Sequence, residues 1–528
     1  MEANAQGGTK VICLGSGQTY NLSIDTAAGD DDTAAEDDLD ISADITIEGN
    51  GSTIQRDLSL TCNNDGTNQV GEFRIFEVHP GAKLTLKDVT VRNGCADGLA
   101  AGGGIWNAGG TLTLERSTIS DNSSSNNGGG ITNSHGGTLT INNSTISGNS
   151  TQYGGGIENS GTLTVTNSTI SGNRAKNDGG GIDNYSGGTL TVTNSTISGN
   201  SASFGGGIYN GGTLIVESST VSANSASSTG GGIYATGPAG TGGTVTITNS
   251  TISGNTAGSG GGIASAIGTV TITNITMSGN RANFAGGGIL TFAGTVNASF
   301  VTIANNTANS QSGGIVNGSS GTFNIKNSIV AGNTAGASPR NCGIAGTFQP
   351  SGVNFADDGT CTGFTQVTSA ALNLQPLGNY GGPTQTHALG AGSVAIDSVT
   401  DCTDLSSNPV SIDQRGVSRP QGSRCDAGAY EYQAVSTTYT LSISPTPTGG
   451  KVTSNPGSID CGSGGSTCSN SFTSGTTVQL TATPDTGYVF TGWTGDCSSC
   501  GTNTTCSITM SGAKTCSANF SASTGVLE

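Results

Sequence analysis

Apolar and polar positions alternate strictly along Thr162-Leu163-Thr164-Val165-Thr166, the period-two pattern of a strand with Leu163 and Val165 on one face and threonine on the other. The phrase that contains it, Gly161 to Asn173, returns unchanged from Gly188 to Asn200. A second mark, GGGI or a variant of it, places Ile at 105, 131, 157, 182, 208, 233, 263, 289 and 315, a repeat of roughly 26 residues. Ile170 opens a second short inward strand and Ile157 a third, so each repeat is expected to supply three strands separated by Gly and Asn bends. One such coil cannot bury its apolar face alone, whereas stacked coils pair in parallel and share a core. The pattern therefore predicts an all-β chain, a right-handed parallel β-helix of about nine coils, with equivalent residues stacked about 4.8 Å apart.

Stacking turns repeated residues into columns. The Asn of the SGN phrase recurs at 122, 149, 173, 200, 224, 255, 280 and 333. A buried amide column can hydrogen-bond along itself and to the bends, so these residues are expected to be structural. The Asn-Ser-Thr triplets at Asn143 and Asn167 match glycosylation sequons, but the repeat accounts for them without sugar.

Composition narrows the function classes. With 17 Lys and Arg against a net charge of −18, the chain lacks the basic footprint that nucleic acid requires. Ten carboxylates lie between Asp25 and Glu48, and the cluster Asp30, Asp31, Asp32, Asp37, Asp38 and Asp40 reads as a solvated acidic loop, with a Ca²⁺ site as the alternative. No other cofactor is expected. All 13 Cys fall outside 96–341, which fits disulfides stapling the irregular ends of an exported protein. We expect Cys342–Cys361, Cys402–Cys425 and three bridges among the last six Cys, with one thiol unpaired. The CxxC at Cys497 and Cys500 lies among other Cys in a Gly/Ser/Thr-rich stretch and is expected to be structural. No apolar run reaches the roughly 18 residues of a membrane span. The opening MEANAQ has no signal-peptide apolar stretch, so export predicts that a leader preceded Met1.

The GGGI and TISGN coils resemble those of bacterial CSLREA-type and polymorphic-outer-membrane-protein-like β-helices, a resemblance that speaks to fold. The stretch Leu374-Gln-Pro-Leu-Gly-Asn-Tyr-Gly-Gly-Pro, with Ala395-Ile-Asp397, Asp413-Gln-Arg-Gly and Cys425-Asp-Ala-Gly-Ala-Tyr-Glu431, resembles a choice-of-anchor Q domain, which implies a bacterial surface. The stretch from Tyr439 to Phe520, with Gly492-Trp-Thr-Gly-Asp-Cys497, is similar to internalin-type bacterial repeat modules and implies a spacer or adhesive role. Trp493 is expected in the core of that small, Cys-rich, β-sandwich-like module. The expected divisions are a capping region with the first coils at 1–100, the regular helix at 101–335, and last coils with the anchor-like region at 336–435. The disulfide-stapled module follows at 436–523, and 524–528 reads as a tail of vector origin.

Candidate chemistry is sparse because the repeats are almost uncharged. One column stands out: the residue after each GGGI is expected to point outward and reads Trp106, Thr132, Glu158, Asp183, Tyr209, Tyr234 in successive coils. Neighbouring coils put Glu158 beside Asp183 at a separation near that of the carboxyl pair in retaining glycosidases, and aromatic rings are what sugars stack on. Asp178, just before its own Gly run, joins this patch. The expected ligand strip is thus Trp106, Glu158, Asp183, Tyr209 and Tyr234, with Glu158, Asp183 and Asp178 the catalytic candidates if the chain is an enzyme. Threonine at 111, 138, 162, 189, 213, 244, 269, 295 and 322 forms another column, similar to the ice-binding face of solenoid antifreeze proteins, though Ile215, Asn297 and Asn324 roughen the adjacent one. His79, His135 and His387 form no metal-ligand spacing. These readings together imply a secreted or cell-surface bacterial protein, adhesive or a rigid scaffold, in contact with an extracellular glycan or a host or cell surface. A polysaccharide lyase or glycoside hydrolase, favoured if the carboxylates line a cleft, and an ice-binding protein are the alternatives.

Overall fold

The computed structural model describes residues 10–23, 38–63, 72–97, 101–237, 242–434 and 438–523. The chain forms two compact units, Met1–Tyr432 and Gln433–Glu528. The first is the expected parallel β-solenoid. Its strand ladders begin at Lys10–Cys13, which pairs with the next coil, and continue to Thr365–Gln366.

Each regular coil has four strands rather than the expected three: Thr162–Thr166, Thr169–Ser171, Arg174–Asp178 and Ile182–Asn184 in one turn. The first two rows merge into a 25-stranded sheet, and the other two form sheets of 11 and 12 strands. Leu163 pairs with Leu190, Val165 with Val192, Ile170 with Ile197 and Ile157 with Ile182, all in parallel register and all fully buried. The extra row escapes the alternation pattern because its inward residue is only an Ala, as at Ala175, Ala202, Ala226 and Ala257, each buried.

Two amide ladders run along the core. Asn173 donates from Nδ2 to Asn200 Oδ1 at 3.0 Å and to the Ile146 carbonyl at 3.0 Å, and its Oδ1 accepts from Asn149 at 2.9 Å. The second ladder, unforeseen, links Asn107, Asn133, Asn159, Asn184 and Asn210 through amide contacts of 2.7–2.8 Å. The Asn of the Asn-Ser-Thr triplets turns a corner: Asn143, Asn167 and Asn194 have φ near 50°, a left-handed conformation that Asn tolerates better than most residues.

Beyond the last coil the chain folds back on the solenoid through a short helix, Ser369–Leu372, and a hairpin, Leu374–Gly378 with Thr386–Leu389. Thr276 Oγ1 meets Gln414 Oε1 and Thr386 Oγ1, both at 2.7 Å, and Lys326 reaches Asp401 at 2.8 Å. Arg419, buried over the Phe300 ring, pairs with Glu431 at 2.8 Å.

The second unit consists of a four-stranded and a five-stranded sheet around Trp493, Leu480 and Val478. Its bridges are Cys461–Cys468, Cys497–Cys516 and Cys500–Cys506, so the two Cys of the CxxC do not pair with each other. In the first unit Cys342–Cys361 and Cys402–Cys425 form as expected, Cys62 joins Cys95, and Cys13 is the free, exposed thiol. No described helix is long and apolar enough to cross a membrane.

Candidate functional site

The glycine run shapes the site. Gly154 turns the chain with φ +67°, and a side chain on Gly181 would meet the Gly207 carbonyl at 2.7 Å and the Asn200 amide at 3.0 Å. Only glycine lets successive coils nest this closely, and the tight bend brings the residues on either side of it face to face.

Two columns therefore confront each other. On one side Tyr153 pairs with Asp178 and Asp178 with Phe204. On the other Glu158 pairs with Asp183, Asp183 with Tyr209 and Tyr209 with Tyr234. Between them lies a cleft of about 420 Å³, with Asn127, Tyr153 and Asp178 on one wall, Glu158, Asp183 and Tyr209 on the other, and Tyr185 at its edge. The expected open strip is corrected here. Glu158 is 8% exposed and Asp183 3%, because the facing column walls them in.

Burial sets the electrostatics. Desolvation pushes the Glu158 carboxyl up to about 7. It pushes Asp183 well above the carboxylate range, helped by the charges of Glu158 and Asp178. Asp178, half-buried at the mouth, is raised by desolvation alone. No cation faces the three carboxyls among the described residues, and Asp183 Oδ1 is buried without a hydrogen-bond partner. A buried carboxyl pair without a cation costs stability when ionised, and both groups answer by holding their protons to higher pH than usual.

Of the residues expected to form the strip, Glu158, Asp183 and Tyr209 share the cleft with Asp178. Tyr234 lies behind them, its ring 5.6 Å from those of Tyr209 and Phe204. Trp106 stands two coils away with Thr132 between, held under the Arg74 guanidinium at 4.9 Å and donating to Ser134 Oγ at 2.8 Å. Asn127, Tyr153 and Tyr185 were missed. The residue before each glycine run, which reads Asn127, Tyr153, Asp178, Phe204, is the signal that would have found the first two.

Of the acidic cluster, Asp30, Asp31, Asp32 and Asp37 lie outside the described residues. Asp38 and Asp40 group with Glu77, their oxygens within 4.8 Å of one another. Basic residues already serve them: Arg74 bonds Glu77 and lies 3.3 Å from Asp38, and His79 Nε2 lies 2.8 Å from Asp40. Asp40 and Glu77 continue the column of Trp106 and Glu158. In the threonine column Thr162, Thr189, Thr213 and Thr244 are exposed, with Ile215 protruding beside them.

Residues 60–221 match the family described as right-handed beta helix region, and residues 439–524 match the divergent InlB B-repeat domain. Among curated proteins nothing matches. One solved structure, the crystal structure of pectate lyase Pel9A, aligns over 82% of this chain and 90% of that one at 15% identity and a TM-score of 0.30. A likeness that weak carries no argument about activity.

Proposed function

We propose that this chain is an exported, surface-associated β-helix protein that binds an extended glycan in the cleft between Tyr153 and Tyr209 and hydrolyses it there. The observation that carries the proposal is the buried pair Glu158 and Asp183, one rung apart, uncompensated by any described cation and open to a cleft edged by tyrosines. The six disulfides fit an oxidising compartment outside the cytoplasm. The resemblance of 374–431 to an anchor domain supports the surface location.

The two environments divide the roles. Asp183, deeper and facing two other carboxyls, holds its proton more tightly than an ordinary carboxyl and donates it to the leaving glycosidic oxygen as the C–O bond breaks. Glu158, ionised above about 7, attacks the anomeric carbon from one rung away. A rung spacing of about 4.8 Å approaches the roughly 5–5.5 Å of retaining enzymes. Water then adds its hydroxyl to that carbon, returns its proton to Asp183 and frees Glu158. Asp178 adds negative charge that favours the cationic transition state, and the tyrosine rings offer faces for sugar stacking.

Adhesion or scaffolding is the second reading, favoured by the InlB B-repeat match of the C-terminal unit. There the cleft would hold a host or cell-surface glycan uncut. A glycan array and a reducing-sugar release assay on one preparation separate the two. We expect binding and release by the parent, and binding without release by D183N. Binding without release by the parent selects adhesion, and neither binding nor release removes both readings.

A further inference from the structure

Beside the cleft, on the outer face of the strand row that carries Tyr153 and Asp178, lies a second concavity of about 630 Å³. Its floor is hydroxyls from Ser150, Ser201, Ser203 and Ser225, and at its centre stand Arg174 and Lys176. Both cations project outward from Arg174–Asp178 while Ala175 between them points into the core. They differ from the paired basic residues of the helix, and share their lack of an ion pair with the exposed Arg281, four rungs along the Arg174 column. Arg116 is spent on Asp88 at 2.7 Å and Lys326 on Asp401 at 2.8 Å, whereas Arg174 and Lys176 make no ion pair among the described residues.

We propose that this groove is a subsite for an acidic polysaccharide. The inference rests on the glycan reading of the cleft and gives that glycan its class. In a chain of net charge −18, an acidic polymer is repelled everywhere except where cations are concentrated, and this pair is the concentration nearest the carboxyl site. Rows of hydroxyls repeating at about 4.8 Å suit a polymer that repeats its own hydroxyls. The lining has no aromatic or large apolar anchor, which argues against a protein partner, and no stacking ring for a nucleobase.

The groove leads to the cleft along one strand. Arg174, Lys176 and Asp178 lie on Arg174–Asp178, so at about 3.3 Å per residue the first cation is about 13 Å from the cleft's mouth. This strand has one residue more than its neighbour Ser150–Tyr153. The surplus is taken up as a bulge between Thr151 and Tyr153, where Gln152 faces both Lys176 and Asn177. Bulges re-aim side chains. This one keeps Arg174 level with Ser150 and Ser201 while Asp178 stays in line with Tyr153 and Phe204.

The test compares polygalacturonate and alginate with fully methyl-esterified polygalacturonate, which keeps the backbone and loses the charge, by affinity electrophoresis of the full chain. We expect the parent to prefer the acidic polymers by about tenfold or more at low salt, and the preference to shrink as salt screens it. In R174Q/K176Q, where only exposed side chains change, the preference falls to about onefold; in D183N it persists. Equal retention by acidic and esterified polymer, no retention by either acidic polymer, or an undiminished preference in R174Q/K176Q overturns the proposal. The cleft reading fails on a separate readout, reducing-end release that is absent in the parent or undiminished in D183N.

Discussion

Glu158 and Asp183 are the residues whose chemistry departs furthest from their surroundings, and the departure has a thermodynamic signature. In the folded chain Glu158 holds its proton up to about pH 7, against 4.5 for the ordinary carboxyl. Between those values the native state binds more protons than the unfolded state, so stability is fully present below about 4.5 and is lost as pH rises to 7. The shift corresponds to about 3 kcal/mol. E158Q removes the titration and should flatten the fall in calorimetric melting temperature between pH 4.5 and 7.5 relative to the parent. Identical profiles would mean that water reaches the carboxyl freely. That these two carboxyls are neighbours was legible, because 25 residues separate two equivalent positions in a repeat. Their depth was not: alternation separates core from outside, and it is silent about the facing column that closes over an outward residue.

At the scale of the element, the coil is held by side-chain ladders as much as by apolar columns. Asn173 makes amide bonds to two neighbouring coils and to the Ile146 carbonyl, in a place where water has no access. Asn173→Ala orphans several of those partners and should cost at least about 3 kcal/mol. Thr162→Ala, on the exposed face of the same coil, should stay within about 0.5 kcal/mol. Denaturant midpoints of the two variants check the contrast, and equal effects would contradict a load carried by the ladder. The SGN column was readable from its regular recurrence. The second ladder was hidden because its members, Asn107 to Asn210, follow variable residues such as Glu158 and Asp183. The fourth strand was hidden because one Ala per coil gives no alternation to detect, although backbone hydrogen bonds suffice to form it.

For the whole molecule, repetition is what made the architecture readable and the function faint. A solenoid needs each coil to match its neighbours, so residues that serve the stack dominate the sequence, and the few that serve a ligand appear as exceptions within columns. Glu158, Asp183, Arg174 and Lys176, the residues on which the proposed glycan site rests, break their columns in this way, and all four lie within one coil of one another. Cysteine placement was equally legible, since the regular middle needs no staples and the bridges fall at its two ends and in the second unit. Trp106 shows the limit of reading a column as a surface: its ring is taken by Arg74 and Ser134, partners that sequence spacing does not reveal.

The central claim, that Glu158 and Asp183 act as a pair on a glycosidic bond, is tested most directly by proton NMR of the reducing ends first released from a susceptible polysaccharide. Two carboxyls one rung apart predict products that keep the anomeric configuration of the bond that was cut. First products of inverted configuration, or release that continues in both E158Q and D183N, would contradict it.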